Sequence, residues 1–334
     1  MAHRDAQPEH ATRPKRSAHA DAVAGALLGT AVGDAFGAAA EGAPSTTIAA
    51  AQRALEQRRE HAPLAWTDDT ELAWILAETL AQGVATAGRT APDALDEDAL
   101  VGRIAARADL RRGYGGGMIA LVQRWRAGQP WREATTAVFP DGSFGNGGAM
   151  RVAPLGAACA FDPGAGTELA RRQAAITHAH PLGQDGAVVQ ARAVGLATAR
   201  GRFGRDELAA LVEVPATAEL HAALADALRL ADQVHGEADD AVLAEAVARL
   251  GAEVVAWRSV PLALWIAAVT GSVPRAVTLA VAAGGDADTI GAMAAAVRGA
   301  ADGASAIPQE WIDAVEDGPH LAGHARELAD ALTG

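Results

Sequence analysis

The chain has 334 residues, half of them hydrophobic, a formal net charge of −13 and a single cysteine, Cys159. That composition supplies a large core, excludes an intrachain disulfide or thiolate metal cluster, and argues against a sequence-independent grip on nucleic acid. Aromatics are only 4% and glycine is abundant, so closely packed helices are expected, and an anionic substrate would need bound cations.

Residues 1–20 are polar and read as a disordered tail. The first helix is predicted from Asp21 to about Ala40. Within it Gly25, Gly29, Gly33 and Gly37 recur every fourth residue and share one face. Each costs roughly 0.5–1 kcal/mol relative to alanine in a helix, so four of them predict another backbone packed against that face. Asp34 and Glu41 lie two turns apart, and spacing alone assigns them to a solvated edge. The apolar run is long enough to raise a membrane span, and Arg13, Lys15 and Arg16 before it raise a secretory signal. Asp34 in its middle and the packing use of the glycines favour a core helix. No membrane association and a cytoplasmic location are therefore expected.

An amphipathic helix over about 46–60 and a connector over 61–66 lead to Thr67-Asp68-Asp69-Thr70, which opens an apolar helix. Asp68 and Glu71 are spaced for a capping-box-like pair. A loop is expected over 83–98, helices over 100–112 and 118–126, and a glycine-rich break between them at 113–117. Asp141-Gly142-Ser143-Phe144-Gly145-Asn146-Gly147-Gly148 is a glycine-rich loop opening into an apolar helix. Such a loop is either an anion cradle or a tight turn. Neither a Walker loop nor a dinucleotide fingerprint fits, because no Gly-Lys-Ser/Thr follows and no strand precedes. His178 and His180 read as a polar helix end rather than a chelating pair, given the hard oxygen ligands elsewhere. Helices follow over about 183–198, 205–213, 216–233, 238–250, 260–269 and 276–283, and two short ones after Pro308. No alternating pattern or fixed repeat occurs, so the chain reads all-α.

Gly284-Gly285-Asp286-Ala287-Asp288-Thr289 precedes a small, apolar helix. Helix capping explains such an acidic start when it stands alone. Two remote helix starts with the same carboxylate and hydroxyl chemistry point instead to one shared divalent-metal site. Oxygen donors without cysteine favour Mg²⁺ first and Mn²⁺ second, and a pair of ions would sit about 3.5–4 Å apart.

Five ordered motifs together resemble the ADP-ribosylglycohydrolase family over about residues 21–315. They are Gly25-Ala26-Leu27-Leu28-Gly29 through Gly33-Asp34 to Glu41, Trp66 to Thr70, Gly142 to Pro154, Thr177-His178, and Gly284 to Ile290. The resemblance implies a single compact orthogonal helical domain over 21–334, carrying two Mg²⁺ or Mn²⁺ ions. It implies metal ligands at Thr67, Asp68 and Asp69 and at Asp286, Asp288 and Thr289. Glu41, Asp68 and Asp69 become the candidate acid/base residues, with Glu41 also a candidate gate. Gly142, Ser143, Phe144, Gly145, Asn146 and Gly147 would hold the diphosphate and distal ribose, and His178 would line the ADP-ribose site. Ala287 and Phe144 depart from the family's usual threonine and tyrosine, and neither change removes an expected ligand. The implied activity releases ADP-ribose from a modified protein or small ADP-ribosyl conjugate, with nucleic acid a partner only if ADP-ribosylated, and the expected state is a monomer. Two alternatives remain: a non-catalytic ADP-ribose-binding or structural relative, and an aspartate-rich terpenoid or prenyl synthase. The latter needs an aromatic-lined pocket that this composition does not favour.

Overall fold

Glycines four apart leave a strip of helix without side chains, and the chain uses that strip to bring two helices together backbone to backbone. A computed structural model describes residues 16–88 and 92–334. In chain order the first helices are α1 (Arg16–Gly37), α2 (Ile48–Glu60), α3 (Asp68–Ala87), α4 (Glu97–Arg107), α5 (Gly116–Arg126) and α6 (Trp131–Val138). Then come α7 (Gly147–Met150), α8 (Ala153–Ala158), α9 (Pro163–Ala175), α10 (Pro181–Arg200), α11 (Arg205–Ala209) and α12 (Ala218–Ala231). The last are α13 (Asp240–Leu250), α14 (Ala256–Val269), α15 (Val273–Ala283), α16 (Ala287–Asp302), α17 (Gln309–Ile312) and α18 (Gly318–Thr333). The described residues form no strand, only two isolated bridges, and the fold is all-α as expected.

The strip on α1 lies against α16. A Cβ built on Gly25, Gly29 or Gly33 would stand 2.1–2.2 Å from the carbonyl oxygens of Gly299, Ala295 and Gly291. Side chains are therefore impossible at these crossings, which is the reason the glycines recur. Helix α16 is buried from Ala287 to Ala301 and flanked by α1, α15, α14 and α10. The apolar stretch Ser17–Ala40 is long enough to cross a membrane, yet 89% of its apolar window is buried inside the fold.

Several boundaries differ from expectation. Helix α1 begins at Arg16, so residues 16–20 belong to it rather than to a tail, and residues 1–15 lie outside the described residues. It ends at Gly37 and tightens into a 3-10 turn over Ala38–Ala40, so Glu41 is off the helical face that spacing assigned to it. Asp34 is not on a solvated edge: its exposure is 0%. Helix α3 runs through Gly83, where a Cβ would meet the Ala94 carbonyl oxygen at 1.8 Å. The loop expected over 83–98 overlooks this second close backbone approach.

Two substitutions test this account of the glycines. Gly33→Leu is expected to cost about 3 kcal/mol or more, because overpacking here would push backbone against backbone. Gly102→Ala, inside α4 with open space around it, is expected to stabilise by about 0.5–1 kcal/mol. Urea unfolding of both variants checks the contrast, and equal effects would contradict it.

Candidate active site

Residue Thr67 caps α3, accepting from the Asp69 N–H at 3.4 Å. Behind this turn lies Asp34. Its carboxylate accepts from the N–H groups of Thr67 (2.9 Å) and Thr70 (3.1 Å) and from both threonine hydroxyls. Four donors on one fully buried carboxylate fix the turn, and Asp68 and Asp69 line the cavity in front of it.

The second acidic corner is set by backbone geometry. Gly284 and Gly285 have φ of +70° and +64°, a left-handed conformation that glycine adopts without strain. Gly285 exchanges hydrogen bonds with Gly42 and Ala43, and the Asp286 N–H donates to the Ala252 carbonyl at 2.8 Å. This clasp carries Glu41 and Asp286 to the same place. Carboxylate oxygens of Glu41, Asp286 and Asp288 lie within 4.8 Å of one another. The two corners meet where the Thr289 hydroxyl donates to Asp69 Oδ2 at 3.2 Å.

The glycine loop closes the third side. It pairs with the start of α14 through Asn146 N–H to the Val254 carbonyl (2.9 Å) and Ala256 N–H to the Phe144 carbonyl (3.0 Å). The Asn146 amide donates to Ser259 Oγ and to Asp286, tying loop and acid together. Ser143, Gly145, Asn146, Gly147 and His178 face Glu41, Asp68, Asp69, Asp286, Asp288 and Thr289 across one cavity of about 270 Å³. Among the described residues, Phe139 is the one Phe, Tyr or Trp in its wall, which is not the aromatic lining a prenyl synthase needs.

Capping does not account for these acids. Thr67 performs that role in α3, and Asp286 makes no side-chain cap to α16. Burial first, then the neighbouring carboxylates, pushes Asp68 and Asp69 well above the ordinary aspartate range and Asp286 up to about 7. Burial also raises Asp34 and Asp288, and burial with the Asp288 charge raises Glu41. Asp69 Oδ1 is buried without a hydrogen-bond partner. A crowd of oxygen donors with one orphaned lone-pair site fits a hard divalent cation.

Some expected site residues stand back from the cavity. Gly142 turns at φ +81° against the His180 backbone, and Phe144 lies at 46% exposure against Trp257 and His180. The Thr67 hydroxyl points its proton at Asp34 (2.8 Å). His180 caps α10, accepting from Leu182 N–H. The Asp68–Glu71 capping pair is absent; Glu71 instead accepts from the Asp109 N–H and the Tyr114 hydroxyl (2.7 Å). Sequence assigns no role to Tyr114, Arg151 or Thr177, although Arg151 and Thr177 stand inside quoted motifs. Arg151 carried the one usable signal, a cation inside the apolar run Ala149-Met150-Arg151-Val152-Ala153.

A family model described as ADP-ribosylglycohydrolase matches residues 15–334. The chain is 30% identical to ADP-ribosylhydrolase ARH3 of Bos taurus over 334 residues, covering 87% of this chain and 88% of the relative. ADP-ribosylhydrolase ARH3 of Homo sapiens is also 30% identical, with 88% of each chain covered. A solved structure titled ADP-ribosylglycohydrolase-related protein complex superposes with a TM-score of 0.65 at 27% identity, covering 95% of this chain and 98% of that one.

The raised acids make cation binding pH-dependent. Without a cation, Asp286 holds a proton in the folded chain that it has lost in the unfolded one between about pH 4 and 7, so its raised pKa subtracts stability as pH rises through that window. A cation must displace that proton at low pH and need not at high pH. The Tm gained on adding Mg²⁺ over chelator is therefore expected to be small at pH 5. It should grow to about 5 °C at pH 8 when the ion is near a hundredfold above its Kd. A gain that is absent, or equal at both pH values in differential scanning fluorimetry, would count against the site.

Proposed function

The chain belongs to the ADP-ribosylglycohydrolase family, and we propose that it hydrolyses the glycosidic bond joining ADP-ribose to an acceptor, with Mg²⁺ or Mn²⁺ held between the acidic corners. The single observation that carries this reading is the Thr289–Asp69 hydrogen bond. It unites two acidic segments at the cavity that the glycine loop also lines. The resemblance to ARH3 proteins along most of both chains supports an ADP-ribosyl substrate on a protein side chain or small conjugate.

Asp68, Asp69, Asp286 and Asp288 would hold the cations, with Thr289 adding a hydroxyl oxygen and Thr67, set back from the cavity, holding the Asp68–Asp69 turn in place. The Thr289 hydroxyl gives its proton to Asp69, which leaves its lone pairs free. A bound cation would supply positive charge on the acidic side of the cavity and would acidify water there. Asp68 or Asp69, on the acidic side of the cavity, would take a proton as the water oxygen bonds to the anomeric carbon. Glu41, at the mouth and with its pKa raised by burial and the Asp288 charge, is placed to give a proton to the departing acceptor atom. The hydroxyl of water ends on ADP-ribose and its other hydrogen on the acceptor. The backbone from Ser143 to Gly147 would receive the diphosphate. We take the enzyme to act as a cytoplasmic monomer.

A binding-only relative would take up ADP-ribose without turnover. Asp68→Asn and Asp286→Asn should each lower ADP-ribose release from a modified substrate roughly 10²–10⁴-fold while leaving the circular dichroism spectrum intact. Chelator should abolish release and Mn²⁺ or Mg²⁺ restore it. Undiminished turnover in chelator would overturn the metal-dependent mechanism, and tight binding of ADP-ribose with no release from any linkage would favour the binding-only relative.

A further inference from the structure

His178 stands in the cavity wall opposite the acids, in space made by two glycines. A Cβ on Gly147 would meet its Cε1 at 2.7 Å, and one on Gly145 would meet its Nε2 at 3.3 Å. Its Nδ1 lies 2.7 Å from the Thr177 hydroxyl. That hydroxyl accepts from Arg151 Nη2 at 2.9 Å. Arg151 is fully buried and locked by Gln173, which takes its Nε–H at Oε1 and a second Nη2–H at the carbonyl, both at 2.7 Å. The direction of the Thr177–His178 bond follows from counting protons. Among the described residues, the only other acceptor for the Thr177 proton is the Ala174 carbonyl, at 3.5 Å, and that oxygen already receives the N–H groups of Thr177 (3.1 Å) and His178 (2.7 Å). A cation donating to the hydroxyl also strengthens it as a donor and weakens it as a second acceptor. The Thr177 proton therefore goes to His178 Nδ1.

We infer that Arg151 and Thr177 are positioning residues that fix His178 as its neutral Nε2–H tautomer, so that it presents one uncharged side-chain N–H donor, beside the glycine loop, to an anionic phosphate oxygen. The inference rests on the reading of this cavity as the ADP-ribose site for its ligand, but not for the tautomer. Burial, with the Arg151 charge behind it, pushes the His178 pKa down to about 3, in keeping with a neutral ring. The physical benefit is direction. A neutral ring with Nδ1 filled can only donate at Nε2, which rewards an acceptor oxygen there and penalises a donor.

Long-range ¹H–¹⁵N correlation of the uniformly labelled full chain reads the tautomer, with the His178 signals assigned by their loss in His178→Asn. The expected wild-type pattern is a protonated Nε2 and a bare Nδ1. Thr177→Val should move it toward mixed or Nδ1–H forms and weaken ADP-ribose binding about tenfold, and Thr177→Ser should restore both. An Nδ1–H ring in the wild type overturns the inference even if Thr177→Val fails to fold. So does a Thr177→Val chain with the wild-type pattern. A wild type that shows the Nε2–H ring yet binds no ADP-ribose would instead refute the ligand reading and leave the Arg151–Thr177–His178 relay standing.

Discussion

The backbone contact between α1 and α16 is the constraint on which the rest depends. It runs the length of α1 and finishes at the site, where a Cβ on Gly37 would stand 2.5 Å from the Asp288 Cα. The same α1 carries Asp34, which holds the turn bearing Asp68 and Asp69, and leads into Glu41. One close crossing thus sets the position of every carboxylate in the cavity relative to the others. Sub-ångström control of this kind is what rigid helices with small residues between them can supply, and what a loop cannot.

That control is spent on an arrangement that is electrostatically unfavourable by itself. Asp34, Asp69, Asp286 and Asp288 are all buried, and neighbouring carboxylates raise the proton affinity of Asp68, Asp69 and Asp286. Arg151 is a buried cation in the cavity wall, but its guanidinium bonds to Gln173 and Thr177, not to an acid. A fold carries such a cluster when a bound cation offsets it. The chain's overall net charge of −13 makes the same demand on a larger scale, since an anionic ligand approaches a negative protein. In the proposed function, cations at the acids and neutral donors from His178 and the glycine-loop backbone would divide the work: charge neutralisation at one end, directional hydrogen bonding at the other.

Much of this was legible in the sequence because it is written in period or in local chemistry. The every-fourth glycines announced a backbone partner, and the paired acid-plus-hydroxyl helix starts announced one shared site. Asp34 was misplaced for a physical reason. Whether a lone aspartate is buried depends on who satisfies it, and its four donors come from Thr67 and Thr70, more than thirty residues away. Glu41 was placed on a helix face because periodicity does not register the 3-10 turn that ends α1. The His178 relay was hidden for the same reason as Asp34: Thr177 is adjacent in sequence, but Arg151 reaches it from another helix end. Contacts that cross between elements are set by tertiary packing, and single-sequence pattern has no access to them.

The claim that both acidic segments clasp a common cation is tested most directly by anomalous scattering from crystals grown with Mn²⁺. One or two manganese peaks are expected inside the cavity, with oxygens of both the Asp68–Asp69 turn and the Asp286–Asp288 turn in their coordination shells. Manganese bound by only one of these segments, or absent from the cavity at saturating ion, would contradict it.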